Sequence, residues 1–403
     1  MSLLSPSPAT GYLRQDGRKG IRNVVLVAYL VECAHHVSRK IISRFENEPV
    51  HLIGFSGCYP NGYADKMMHA ICTHPNVGAV LLVSLGCESF NRNRLYEQIE
   101  ASGRPVKLVT IQQNGGTVNS IEEGISFVNR ALELIQEVPK VPFHLQELIV
   151  GIVSGGSDAT SGITANPAAG RAFDLLNEAG CTTIFENTSE MIGLENLLRK
   201  RATRPELAEI LPEAVDKAAR YHAIMGHGSF APGNAEGGLT TLEEKSMGAY
   251  CKSGTAPIIG LIKPGDRTTI PGLYLMDIVP DGEPRFGFPN PNDISEMNEL
   301  IASGAHLVLF TTGRGSVAGS AVSPVIKICA NPETYRNMEG DMDVNAGKIL
   351  TNEATLEDIA HEIVAQIVDV AHGVKTCSEQ LGHQEFSLGY KSFEPIGPSC
   401  LTY

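Results

Sequence analysis

Short apolar runs alternate with longer amphipathic stretches along the first third of the chain. NVVLVAYLV (23–31) precedes HHVSRKIISRFE, HLIGF (51–55) precedes ADKMMHAICTH, AVLLVSL (79–85) precedes NRLYEQIEAS, and VKLVTIQ (106–112) precedes SIEEGISFVNRALELIQEV. Runs of five to nine Val, Leu and Ile residues separated by helix-period segments predict parallel strands buried on both faces. The same alternation resumes after residue 145 with ELIVGIV, CTTIFEN, PIIGLI, GLYLMDIV, HLVLFTT and VIKICA, interleaved with helical stretches such as PAAGRAFDLLNEAG. The fold class expected is α/β, with two doubly wound domains of mostly parallel sheet, residues 1–140 and 145–403, and an active site at their interface. The proline-bearing EVPKVPFHLQ (137–146) reads as the linker between them.

Composition narrows the class. The 403 residues suffice for two full cores, and 45 acidic against 32 basic side chains give a net charge of −13 without long blocks of either sign. That balance argues against a nucleic-acid surface. No apolar stretch is long enough to span a membrane and the N-terminus has no signal-peptide pattern, so a cytoplasmic location is expected. Nine cysteines without an export signal point to reduced thiols or metal ligands rather than disulfides.

Three of those thiols stand out by position. Cys33, Cys58 and Cys87 each close a predicted strand, in YLVEC, GFSGC and SLGC. Ligands of open α/β sheets bind beyond the carboxyl ends of the strands, so three residues distant in sequence are expected to converge there. Three sulfur donors suit a transition metal, iron as a single Fe2+ ion or an iron–sulfur cluster, with zinc an alternative. His35, His36 and Glu88 stand beside them as acid–base groups. The other six cysteines, at 72, 181, 251, 329, 377 and 400, share no geometry and read as structural.

The second half carries Gly-rich polar loops. GGSDATSGITANP (155–167) follows a predicted strand and precedes a helix, so its backbone N–H groups and the hydroxyls of Ser157, Thr160, Ser161 and Thr164 can approach an anion. Two further long loops, GHGSFAPGNAEGG (226–238) and PDGEPRFGFPNPND (280–293), have the composition of lids or binding loops. None matches a dinucleotide fingerprint or a P-loop.

Taken together, GYLRQDGRKGIRN (11–23), the Cys-terminated strands with LGCE (85–88), GGSDATSGITANP, APGNAEGGLTTLEEKSMG (231–248) and FTTGRGS (310–316) resemble the altronate and galactarate dehydratases over nearly the whole chain. The resemblance implies a metal-dependent lyase that removes water from a sugar acid by β-elimination, giving a 2-keto-3-deoxy acid. It also extends to the large, β subunits of (2R)-3-sulfolactate sulfo-lyases, which release sulfite and pyruvate and work with a separate small subunit. Such a subunit, an oligomeric assembly and a small anionic hydroxy-acid substrate are therefore the partners expected. A non-catalytic metal- or redox-sensing subunit is the reading from another class. The chain departs from the family at Ser154, where a Cys precedes GGSD, and in YPNGYADK after Cys58.

Roles follow from the chemistry. Lys245, on a predicted helix, is a candidate base or carboxylate clamp; Arg314, assisted by Ser316, is suited to hold a carboxylate or sulfonate bidentately. Glu190, after CTTIF, is a further strand-end carboxylate. Ser157, Asp158, Thr164 and Asn166 complete the substrate-binding set, with Asp158 orienting a neighbouring donor or the metal. Arg14, Asp16 and Arg22 belong to the opening motif and read as structural.

Overall fold

Each apolar run becomes a strand, because β-branched and aliphatic side chains fill both faces of a covered sheet. The computed structural model describes residues 7–226, 228–282 and 292–388. The first half comprises β1 (Ala9–Leu13), β2 (Lys19–Gly20), β3 (Val24–Tyr29), α1 (His35–Ile42), β4 (Val50–Gly54), α2 (Gly62–Cys72), β5 (Val77–Ser84), α3 (Arg92–Ala101), β6 (Val106–Thr110), α4 (Thr117–Gln136) and β7 (Lys140–Phe143). Strands β3 to β6 form a parallel sheet in the order β4-β3-β5-β6. Alternate residues serve opposite faces: Val25, Val27, Leu81 and Val83 pack in one core, and Leu26, Ala28, Val80 and Leu82 in another.

The segment expected to be a linker is in part a strand. β7 returns to pair antiparallel with β1, Ala9 opposite Phe143 and Tyr12 opposite Lys140, while β2 takes the other side of β1. Pro142 is tolerated because β7 is an edge strand, and Phe143 is buried.

The second half comprises β8 (Ile149–Ser154), α5 (Ala165–Glu178), β9 (Thr182–Glu186), α6 (Glu195–Arg201), α7 (Pro205–Met225), α8 (Pro232–Glu236), α9 (Leu242–Cys251), β10 (Ile258–Ile262), β11 (Gly272–Met276), α10 (Asp293–Ala302), β12 (Leu307–Thr312), β13 (Val325–Cys329), α11 (Pro332–Asn337), β14 (Val344–Asn345), α12 (Leu356–Ala371) and α13 (Cys377–Leu381). Its seven strands are all parallel, in the order β10-β11-β9-β8-β12-β13-β14. From β8 the chain builds outward through β9 and only later returns to lay β12 on the other side. The carboxyl end of β8 is therefore the topological switch point, where a crevice opens in sheets of this kind. The four-stranded and seven-stranded sheets are both parallel, as the alternation predicts, and no helix among the described residues is long and apolar enough to cross a membrane.

Candidate active site

A cleft of ≈ 630 Å³ lies at that switch point. It is lined from the ends of three adjacent strands: Ser154 to Ser157 after β8, Asn187, Ser189 and Glu190 after β9, and Arg314 after β12. The turns after β8 and β12 are tied together, since the Gly156 carbonyl accepts from the N–H groups of Gly313 (3.2 Å) and Arg314 (2.9 Å). Glycine is required in the first turn for two reasons. Gly156 has φ +61°, and a Cβ on Gly155 would lie 2.0 Å from Oδ2 of Asp293.

The floor of the cleft is a buried ionic network. The Lys252 ammonium, fully buried just past α9, donates to Oγ of Ser154 at 2.9 Å and pairs with the Glu190 carboxylate. Ser154 Oγ in turn lies 3.1 and 3.2 Å from the two Glu190 oxygens. Asn187 fixes the loop by accepting from the Glu190 N–H at 2.9 Å. A buried charge is tolerable only when paired and hydrogen-bonded, and here each member satisfies the others. Asp293, at the first turn of α10, faces the same cleft. Burial and then the neighbouring Glu190 charge push its carboxyl up to about 6.

Cations stand higher on the wall. Lys245, on α9, reaches across to donate to the Ser229 carbonyl. Arg314 donates to the Gly233 carbonyl at 2.6 Å and to Oε2 of Glu236 at 3.0 Å, leaving its guanidinium partly exposed at the rim. The 226–238 loop that supplies these partners contains the short α8 and forms one side of the cleft. His227 in this loop and residues 283–291 of the other long loop lie outside the described residues.

Of the residues singled out in the sequence, Ser157, Glu190, Lys245 and Arg314 meet in this cleft. Asp158 and Asn166 line an adjoining pocket that shares Ser157 and Lys245 with it. There Asp158 orients donors: Oδ1 accepts from the N–H (2.9 Å) and hydroxyl (2.6 Å) of Thr160, and Oδ2 from Asn331 (3.1 Å). Thr164 is fully buried, its one hydroxyl proton shared between the Thr160 (2.8 Å) and Ala330 (3.0 Å) carbonyls, and Ser316 accepts from the Ala318 N–H; neither lines the cleft or that pocket.

The N-terminal set stands apart. The loops bearing Cys33, Cys58 and Cys87 adjoin at the carboxyl edge of β4-β3-β5, where Glu32 N–H meets the Ser56 carbonyl and Ser89 N–H the Cys58 carbonyl. All three cysteines are nevertheless exposed, and among the described residues no group of three or more His, Cys, Asp or Glu side chains is placed to hold a metal ion. His35, the first residue of α1, pairs with Glu32 at 3.1 Å, His36 follows it in the same turn, and Glu88 accepts from the Ser84 hydroxyl and the Gly86 N–H of its own loop. The cysteines read as structural include Cys72, Cys181 and Cys329, which are buried; Cys400 lies outside the described residues.

Lys252 and Asp293 escape sequence reasoning. Lys252 follows a helix with little amphipathic pattern, and Asp293 ends a long polar loop; only the Asn292 cap, accepting from Ser295 at 2.9 Å, marks the helix that aims it.

This sheet-end cleft belongs to a chain matched by two family models. The D-galactarate/altronate dehydratase C-terminal model matches residues 145–393, and the second-domain model of D-galactarate dehydratase/altronate hydrolase matches 11–136. The chain belongs to the galactarate/altronate dehydratase family, a family of lyases. It is 33% identical over 396 residues to the (2R)-sulfolactate sulfo-lyase subunit beta of Chromohalobacter salexigens, covering 94% of this chain and 96% of that one. It is also 31% identical over 394 residues to the altronate dehydratase of Escherichia coli (94% and 76%) and 31% identical over 400 residues to its L-threo-forming galactarate dehydratase (92% and 74%).

Proposed function

We propose that this chain is a β-eliminating lyase acting on a small 2-hydroxycarboxylate, and that the substrate is a sugar acid dehydrated to a 2-keto-3-deoxy acid. The observation that carries this reading is a pair of carboxylates in contrasting surroundings within one cleft. Glu190 has a buried ammonium as counter-ion, whereas Asp293 is pushed up to about 6. Such a pair divides into base and acid. Glu190 takes the C2 proton; the electron pair left on C2 forms the C2–C3 double bond as the C3–O bond breaks. Asp293 gives its proton to the departing hydroxide, which leaves as water, and the enol tautomerises to the ketone. Lys245, Arg314 and the N–H groups of Gly156 and Ser157 hold the substrate carboxylate, whose negative charge grows as the C2 proton leaves. Asn187, Ser189 and Ser157 supply partners for the hydroxyls of a polyol chain.

The second reading is elimination of sulfite from sulfolactate, favoured by 33% identity across 96% of a sulfo-lyase β subunit. Because that relative is named a subunit, a separate small partner chain belongs to this proposal, and assays include one. Sulfite leaves as an anion that needs no proton, so the two readings differ at Asp293. Altronate, galactarate and sulfolactate are offered in turn, and 2-keto-3-deoxy acid and sulfite are measured. The dehydratase reading expects keto acid from a sugar acid and its loss in Asp293→Asn; sulfite from sulfolactate alone, undiminished in Asp293→Asn, overturns it.

A further inference from the structure

A second cavity, ≈ 270 Å³, opens far along the chain from the cleft residues, between the opening motif and the C-terminal sheet. Arg18, Lys19, Glu147, Arg267, Thr268 and His306 are among the side chains around it, three cations against one carboxylate. In a chain of net charge −13 this is a concentration of cations. Arg18 holds Asp16 through Nε (2.8 Å) and Nη2 (2.6 Å) and also donates to the Thr73 carbonyl. Behind it, Arg14 donates to the Pro75 carbonyl (2.7 Å), and Arg104 to those of Val77 and His74 (both 3.0 Å).

The carboxylates at hand are already engaged. Asp16 serves Arg18, Glu147 serves Lys19 at 2.6 Å, and Asp266 serves Lys66 at 2.6 Å. Among the described residues Arg14 and Arg104 donate to carbonyls and to no carboxylate, Asp16 acting on both only through its field. Nη1 of Arg104 is buried without a hydrogen-bond partner, and Arg267 makes no hydrogen bond or ion pair among the described residues. The local field is correspondingly positive. Burial and then Arg104 bring Arg14 down to about 9; burial and then Arg18 bring Arg104 down to about 10 and also lower Arg267. His306 does not relieve this field: it is fully desolvated, with one ring nitrogen facing the Ile149 N–H and the other the Lys19 carbonyl.

We propose that this cavity is an anion site for a phosphate-sized tetrahedral oxyanion, free or as the terminal group of a small metabolite. Arg18 and Arg267 hold the anion from the two sides of the domain junction, and Thr268 lines the same space. Arg267 lies on the loop joining β10 to β11, whose Asp266 already reaches the N-terminal domain through Lys66. An anion here replaces repulsion between Arg18 and Arg267 by attraction to both, so binding fastens the two domains together.

The test uses the full chain in buffer free of phosphate and sulfate. Inorganic phosphate, sulfate and glycerol phosphate are titrated by calorimetry, and Tm is followed against chloride at matched ionic strength. Wild type is expected to bind saturably and to gain Tm beyond the chloride control. Arg267→Ala, which loses no hydrogen bond or ion pair among the described residues, is expected to fold normally, to weaken binding by about tenfold or more, and to erase the Tm gain. Without any anion its Tm is expected to equal or exceed that of wild type, since a repulsion is removed. Glycerol phosphate binding without phosphate binding assigns the site to a metabolite; binding of both assigns it to the free ion. Absence of binding by all three, or binding that survives Arg267→Ala and vanishes in Arg314→Ala, overturns the proposal.

Discussion

Lys252 is the residue on which the floor of the cleft depends. Its ammonium is fully buried, and among the described residues its hydrogen-bond partners are Ser154 and Glu190. Lys252→Met is expected to cost about 3–5 kcal/mol, because it strands the Glu190 carboxylate, and the Lys252→Met, Glu190→Gln double variant is expected to recover most of that loss. Urea denaturation of the four proteins in the cycle checks this. Asp293 gives a pH signature. Its folded value of about 6 lies above the ordinary carboxylic value of 3.8, so its contribution to stability is fully present below 3.8 and is lost as pH rises through about 6. Asp293→Asn is therefore expected to gain stability at pH 8, by on the order of 3 kcal/mol, and little at pH 4. Dehydration by wild type is expected to decline as pH rises through about 6, while the variant loses 10²- to 10⁴-fold in rate, at roughly that order, and also loses the pH step. Sequence reasoning reaches Glu190 and Ser154 because strand ends are visible as the close of an apolar run. It does not reach Lys252 or Asp293, whose value lies in burial against partners 62 and 103 residues away.

At the scale of elements, strand order decides which predicted residues meet. The β8, β9 and β12 ends are neighbours in one sheet, so Ser154, Glu190 and Arg314 share a cleft; the three cysteines end neighbouring strands of the other sheet and face solvent instead. Periodicity identifies strands but is silent on which sheet each joins, and it does not say which way a thiol points. On the observed arrangement, Cys58→Ser and Cys87→Ser are expected to keep kcat/KM within about twofold of wild type, that is within about 0.4 kcal/mol. Metal analysis of anaerobically purified protein is the companion measurement: iron that is present and lost together with activity in either variant defeats this arrangement. The turn after β8 is less forgiving. In Gly155→Ala the new methyl collides with Asp293, so a single added carbon is expected to displace the acid and cut activity more than either cysteine change, with the largest loss in the pH-dependent limb.

At the scale of the whole molecule, the two halves of the chain share an apolar core. One continuous apolar cluster contains Leu26, Ile53, Met67 and Leu82 from the first half together with Val153, Ile184, Leu300 and Phe310 from the second. Tyr63 of α2 donates to Glu299 of α10 at 2.6 Å, and Arg22 of the opening motif holds Glu379 of α13 through two bonds, of 2.7 and 2.9 Å. Strand pairing of β1 with β7 further fastens the point where the chain passes from one half to the other. Domains joined by an interface of this kind lose the independence that separate cores confer, because opening either half exposes apolar surface of the other. A single cooperative unfolding transition is therefore expected, coincident by calorimetry, far-ultraviolet circular dichroism and tyrosine fluorescence, and Met67→Ala in the first half is expected to lower that one transition by about 2–5 kcal/mol as a unit. Two resolved transitions, with only one moved by Met67→Ala, would show that each half folds on its own core and that the shared cluster is only a contact between finished domains.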